Sequence, residues 1–264
     1  MIVRLIGCLF AAQVALHAGA VAGDSDGDVE RLYANPFEAR IQLIGQLAPK
    51  TLRLDIGAAP VLFRFDSTYT VSTEFFTLTR LRSEGNLKFP VETADYWFGF
   101  TGSYAPVGSN VNVRMRVAHI SSHLVDGYAN AQGVFDRQLP FVYSREFVET
   151  IATYTVDGFR PYAGLTWVWS IQPRYFDRII PHIGFDYRHD LGNGFIARCG
   201  HDARWIGING TYVPQHATQI GIEQRHTSGT STGIHLYRFD GRSIHGMFAN
   251  QGESYLGIGL SYTY

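Results

Sequence analysis

The last nine residues, Leu256-Gly257-Ile258-Gly259-Leu260-Ser261-Tyr262-Thr263-Tyr264, alternate strictly between bulky apolar and tiny or polar side chains. Successive side chains of a β-strand point to opposite faces. The alternation therefore makes one greasy face of Leu256, Ile258, Leu260, Tyr262 and Tyr264, and an opposite face of Gly257, Gly259, Ser261 and Thr263. A sandwich strand can carry such a pattern, but it does not account for the abrupt aromatic end. A strand that spans a membrane does, with lipid on one side, a crowded or wet interior on the other, and an aromatic at the interface.

Period-two stretches of similar length recur along the chain, and helical periodicity is scarce beyond the first 22 residues. They fall at roughly 39–47, 51–65, 68–82, 87–104, 109–121, 141–156, 159–171, 179–189, 194–206, 215–226, 231–239 and 253–264. This predicts an all-β fold, an antiparallel transmembrane β-barrel of about twelve strands, in a range of roughly ten to fourteen. Tight turn signals at Pro106-Val107-Gly108-Ser109, Val156-Asp157-Gly158 and Asp190-Leu191-Gly192-Asn193 alternate with longer links at 122–140, 172–178, 207–214 and 240–252. Short periplasmic turns and long outer loops are the barrel habit, so 109–121 is expected to rise outward and 122–140 to lie outside the cell. The end of the chain also resembles the C-terminal signal by which bacterial outer-membrane barrels are recognised, a glycine followed by two spaced aromatics, here Gly259, Tyr262 and Tyr264. That resemblance implies the barrel-assembly machinery as a partner during insertion and outer-membrane lipid as the surroundings.

Residues 1–22 read as a secretory signal, with Arg4, a short apolar run from Leu5 to Leu16, and small residues at Ala18-Gly19-Ala20 or Ala20-Val21-Ala22. The run is too short to span a membrane as a helix, which takes about 20 residues. An acidic segment, 23–38, is expected as a solvated periplasmic lead-in, and 39–264 as the barrel. The expected location is the outer membrane of a Gram-negative bacterium after cleavage. Cys199 is then the sole cysteine, so no intrachain disulfide can form. A mean hydropathy of -0.05 is compatible with this reading, because only alternate residues meet lipid. The 28 Gly, 15 Tyr and 18 Phe against 17% charged residues suit crowded interiors and aromatic girdles, and a net charge of -1 argues against nucleic acid.

Parity assigns the lining. Asp95, Arg114, Arg116, Asp186, Arg188, Arg198, Asp202, Arg204, Glu223 and Arg225 share the polar faces of their strands, as do Asn112, His182 and Gln219. Charges of both signs face hydrocarbon only at high cost, so they are expected to meet in the lumen as a paired network. On 159–171, Leu165, Trp167, Trp169 and Ile171 are expected outside, opposite Tyr162, Gly164, Thr166 and Ser170.

One segment concentrates reactive groups: His119-Ile120-Ser121-Ser122-His123-Leu124-Val125-Asp126-Gly127. With Tyr33-Ala34-Asn35-Pro36, Ala94-Asp95-Tyr96, Ser144-Arg145-Glu146 and Arg160-Pro161-Tyr162-Ala163-Gly164, it resembles a group of bacterial envelope proteins sharing a His-x-Ser-Ser-His-Leu-x-Asp core. The resemblance spans roughly 31–170 and implies an envelope barrel without implying an activity. The acidic residue usual after the motif aspartate is Gly127 here. On a strand His119 and Ser121 share one side, the outward side of 109–121, where a base can activate a hydroxyl. The pair is similar to the His-x-Ser of outer-membrane lipid A deacylases, in which a glutamate orients the histidine. Glu146, Glu149 or Asp126 could take that part. Ser122, His123 and Asp126 otherwise read as rim residues that tie down the following loop. A metal at His119, His123 and Asp126 would need a turn to converge them, since four strand residues span ~13 Å; no metal or cofactor is expected. The leading expectation is an outer-membrane barrel with a structural or narrow-pore role. The alternatives are a lipid-directed serine hydrolase and a soluble periplasmic β-protein that binds a ligand.

Overall fold

The computed structural model describes residues 31–85 and 87–263; the expected signal segment and Tyr264 lie outside the described residues. Thirteen strand segments form one antiparallel sheet. In chain order they are β1 (Ile41–Gln46), β2 (Thr51–Ala58), β3 (Val61–Phe65), β4 (Tyr69–Arg82), β5 (Val91–Tyr104), β6 (Val111–Leu124), β7 (Tyr143–Tyr154), β8 (Phe159–Gln172), β9 (Ile179–Gly192), β10 (Phe195–Ile208), β11 (Thr211–Arg225), β12 (Ser231–Arg242) and β13 (Gly252–Thr263). Each except β2 pairs with the next, β1 pairs with β13, and β2 pairs with β4, so the sheet closes on itself. β2 and β3 lie end to end along β4 as two halves of one barrel strand. The break falls at Ala59-Pro60, where proline has no N–H to give to the ladder. The closed barrel therefore has twelve strands.

Local turn chemistry accounts for several of the connections. Asp157-Gly158 and Asn209-Gly210 both take positive φ, the requirement of the tight hairpin turns that match strand twist. The second corrects an expectation: 207–214 is not a long link but a hairpin of Asn209-Gly210, with β11 already running from Thr211. Pro214 suggests a loop in the sequence, yet β11 pairs there only with β10, and its pairing with β12 begins at His216. A proline is tolerated on such a locally unpaired edge.

Parity follows the strands closely. On β13, Leu256, Ile258, Leu260 and Tyr262 are exposed while Gly257 and Gly259 are buried. Phe98, Phe100, Trp167, Ile220, Ile234 and Leu236 extend the same exposed apolar girdle around the exterior. Bare apolar surface on this scale is untenable in water and natural in hydrocarbon. The chain is an outer-membrane β-barrel.

The interior is filled. Residues 23–38 were expected as a solvated lead-in; the described part of that segment, 31–38, instead folds into the lumen as a plug. Leu32, Ala34, Asn35 and Glu38 are buried. Arg40 closes the plug on itself, donating to the carbonyls of Leu32 (3.0 Å), Tyr33 (2.9 Å) and Asn35 (2.7 Å). Around it run the paired charges anticipated from parity. Arg114 grips both oxygens of Glu38, and Arg116 meets Glu74 (2.9 Å) and Glu149 (2.8 Å). Arg160 bonds Asp186 (2.5 Å), Arg198 bonds Glu223 (3.3 Å), and Arg204 bonds Asp202 (3.3 Å) and Asn35 (2.8 Å). His182 and Tyr162 also hydrogen-bond Asp202. Arg188 and Arg225 hold the same inward parity near the periplasmic mouth, where Arg225 is exposed. Toward the outer end an apolar layer takes over, with Trp97 packed on Phe37, Phe76 and Phe147. The link after β12 folds in above it, burying Ile244, Met247 and Phe248.

Candidate functional site

The outward faces of β5 to β8 carry an island of polar side chains in the apolar girdle, built from two neighbouring rungs. In the first, Phe98, His119, Glu146 and Ser170 are successive cross-strand partners on β5, β6, β7 and β8. In the second, one step toward the outer rim, Tyr96, Ser121, Ser144 and Gln172 are partners in the same way. Cross-strand partners lie close enough for side chains to interact directly.

His119 and Glu146 do so. His119 Nδ1 lies 2.9 Å from Glu146 Oε1, and both groups are partly exposed on the outer wall. Ser144 Oγ donates to the same carboxylate oxygen at 3.1 Å, and the Ser170 side chain also hydrogen-bonds Glu146. With Nδ1 committed to the carboxylate, the proton on that nitrogen leaves Nε2 as the acceptor. Ser121 stands two residues farther along the same face, ~7 Å by strand rise, within the sweep of an imidazole. Its hydroxyl has no hydrogen bond among the described residues. Buried carboxylates do not compete for the histidine: Glu149 faces the lumen and is spent on Arg116, which removes it as an orienter. Asp126 is exposed in a short 3-10 turn, Asp126–Tyr128, beyond the end of β6, and is not a partner of His119.

The rest of the motif divides between the two sides of the wall. Ser122 points inward, is buried, and its Oγ accepts from the Met247 N–H at 3.0 Å. Asp95 does the equivalent work beside it, accepting from Gly246 N (2.7 Å) and pairing with His245 Nδ1 (2.8 Å). These two residues fasten the inward-folded link and so cap the lumen. His123 faces outward next to Ser121 and packs on Tyr96 with ring centroids 5.8 Å apart. Among the described residues no three metal-ligating side chains converge.

Two residues of β8 departed from sequence expectation. Ser170 was expected inside and Ile171 outside; the structure has Ser170 exposed and Ile171 buried. The cause is an extra residue in β8: Glu146 faces Ser170 and Phe147 faces Val168, leaving Trp169 unopposed. Such a bulge reverses the parity of everything beyond it. The two clustered tryptophans, Trp167 and Trp169, hid it, because both face outward in either register. Gly259 and Tyr262 of the C-terminal signal lie on opposite faces, Gly259 beneath the His235 ring and Tyr262 toward lipid.

No protein-family model and no curated protein sequence matches the chain. Solved structures do resemble it. Outer membrane phospholipase A from Escherichia coli superposes with a TM-score of 0.57 at 10% identity, over 93% of this chain and 98% of that one. The Salmonella typhi outer membrane phospholipase, solved as a dimer with bound calcium, gives 0.55 at 11% identity, over 90% and 94%. At such identity the likeness is one of architecture, and it places this chain among the twelve-stranded outer-membrane β-barrels.

Proposed function

We propose that this barrel is a lipid-directed serine hydrolase that works on its outer wall, with Ser121 as nucleophile, His119 as base and Glu146 as the group that orients the base. The observation that carries the reading is the 2.9 Å contact between His119 Nδ1 and Glu146 on the lipid-facing side, with Ser121 next on the same face. In a nucleophile–base–acid array the acid fixes the imidazole tautomer, and the free nitrogen takes the hydroxyl proton. Ser121 Oγ would attack the carbonyl carbon of an acyl ester while its proton passes to His119 Nε2. That proton then goes to the departing alcohol as the ester C–O bond breaks, and water repeats the sequence to free the fatty acid. The substrate class follows from where the site opens. It faces the bilayer in the outer part of β6, beside Phe98 and above the apolar row of Phe100, Val117 and Trp167 that would lie along an acyl chain. That the similarly folded barrels are described as phospholipases is consistent with this class.

A structural barrel is the second reading, favoured by one specific observation: Ser121 Oγ is unpaired, while His119, Glu146, Ser144 and Ser170 tie β6, β7 and β8 together. On either reading, export by residues 1–22 and recognition of Gly259, Tyr262 and Tyr264 by the insertion machinery bring the chain to its membrane. Purified protein with phospholipid and lipid A vesicles, assayed for released fatty acid and for labelling by a fluorophosphonate, separates the two. Turnover and labelling that vanish in Ser121→Ala and His119→Ala, in barrels that still show heat-modifiable mobility, support the hydrolase. Turnover that survives Ser121→Ala, or wild-type protein inert toward both lipids and the probe, eliminates it.

A further inference from the structure

A carboxylate on a membrane-facing wall is costly unless donors surround it. Glu146 receives three, from three strands: His119 on β6, Ser144 on its own strand β7, and Ser170 on β8. A regular β8 could not supply the third. Counted by strict alternation from Leu165 and Trp167, which face out, residue 170 belongs inside. The unopposed Trp169 changes the count and turns the Ser170 hydroxyl outward, opposite Glu146. The bulge is also held in place. Arg178, on the link into β9, donates from Nη1 to the carbonyl oxygens of Val168 (3.0 Å) and Trp169, and its own carbonyl accepts from Val168 N at 2.8 Å. The carbonyls of Val168 and of the unopposed Trp169 thus meet a guanidinium. An irregularity with a dedicated clamp, on a rung with a histidine–carboxylate pair, is a means of re-aiming a side chain.

We propose that Ser170 is a positioning residue of the Ser121–His119–Glu146 centre, delivered to it by the Arg178-clamped bulge of β8; this rests on the hydrolase reading. Its hydrogen bond fixes the rotamer of Glu146 so that one oxygen stays in line with His119 Nδ1–H. The imidazole is thereby kept in the tautomer whose Nε2 can accept the Ser121 proton. Ser144 fixes the same carboxylate from its own strand, and the two serines hold it from either side.

The test compares wild type with Ser170→Ala and Ser170→Thr in detergent micelles, after heat-modifiable mobility shows that each barrel is folded. Ester hydrolysis gives kcat and KM, and 15N NMR of the His119 imidazole reports which nitrogen carries the proton, independently of turnover. Ser170→Ala is expected to lower kcat by about tenfold or more, the effect of one hydrogen bond to a charged group. KM should stay within about twofold, since the hydroxyl does not bind substrate. The His119 spectrum should change from a single Nδ1–H tautomer to a mixture, and Ser170→Thr should restore both readouts. Ser170→Cys, near in size and a weaker donor, repeats the comparison should the alanine variant fail to fold. Wild-type kcat and an unmixed Nδ1–H tautomer in Ser170→Ala overturn the proposal, as does a threonine variant that behaves like alanine. Wild-type protein without hydrolysis removes the enzymatic reading, and the tautomer measurement then still decides whether Ser170 positions the pair.

Discussion

Glu38→Gln is the substitution whose cost the structure defines most closely. Glu38 sits in the plug at 2% exposure and accepts from both guanidinium nitrogens of Arg114, with Arg116 at 3.4 Å. Arg116 keeps Glu74 and Glu149 if Glu38 is neutralised, whereas Arg114, at 5% exposure, is left without its carboxylate. Removing one member of a buried pair costs about 3–5 kcal/mol, because the remaining charge stays desolvated. A second route gives a similar size. Burial alone would raise the Glu38 carboxyl, yet Arg114 and Arg116 outweigh it and bring it from 4.5 down to about 2. A depression of that extent corresponds to roughly 3 kcal/mol at neutral pH. The sign follows from linkage: a carboxyl lowered in the folded state stabilises above its unfolded value, and the contribution fades as pH falls from about 4.5 through about 2. Urea unfolding of the reconstituted barrel, followed by tryptophan fluorescence, should place Glu38→Gln about 3 kcal/mol below wild type at pH 7, with the gap closing toward pH 2. Adding Arg114→Met should recover most of the loss, because a buried pair replaced by apolar groups is close to neutral. A single variant within about 0.5 kcal/mol of wild type at pH 7, or a gap that does not depend on pH, would refute the argument.

Two further outcomes follow from the packed interior. In planar bilayers the wild-type barrel should not conduct, since the plug and its arginines occupy the lumen, while deletion of residues 31–38 should open it; steady conductance by the intact protein would show that the filling is not tight. Gly259→Ala should destabilise by about 1–3 kcal/mol as an overpacked site, because a Cβ there would lie 2.0 Å from the buried His235 ring. His235→Ala in the same chain should relieve it, and equal urea midpoints for Gly259→Ala and wild type would contradict this.

The alternation of residues 256–263, the Asp157-Gly158 turn and the outward placement of His119 and Ser121 were all legible in the sequence, because each depends only on neighbours along the chain. The period of a strand is two, and a lipid-facing surface enforces it. The plug was not legible. Its acidic run reads as a solvated segment because the partners that neutralise Glu38 and hold Asn35, Arg114 and Arg204, stand 76 and 169 positions away. Nor could the sequence choose between Glu146 and Glu149, since β7 carries apolar residues on both faces: Val148 and Ala152 outside, Phe147 and Ile151 within. Register settled that choice, setting Glu146 opposite His119 and turning Glu149 to Arg116. The extra residue at Trp169 is of the same kind, visible only against the neighbouring strand. Face alternation is a local property of the backbone, whereas which residue stands across from which is fixed only when the whole ring has closed.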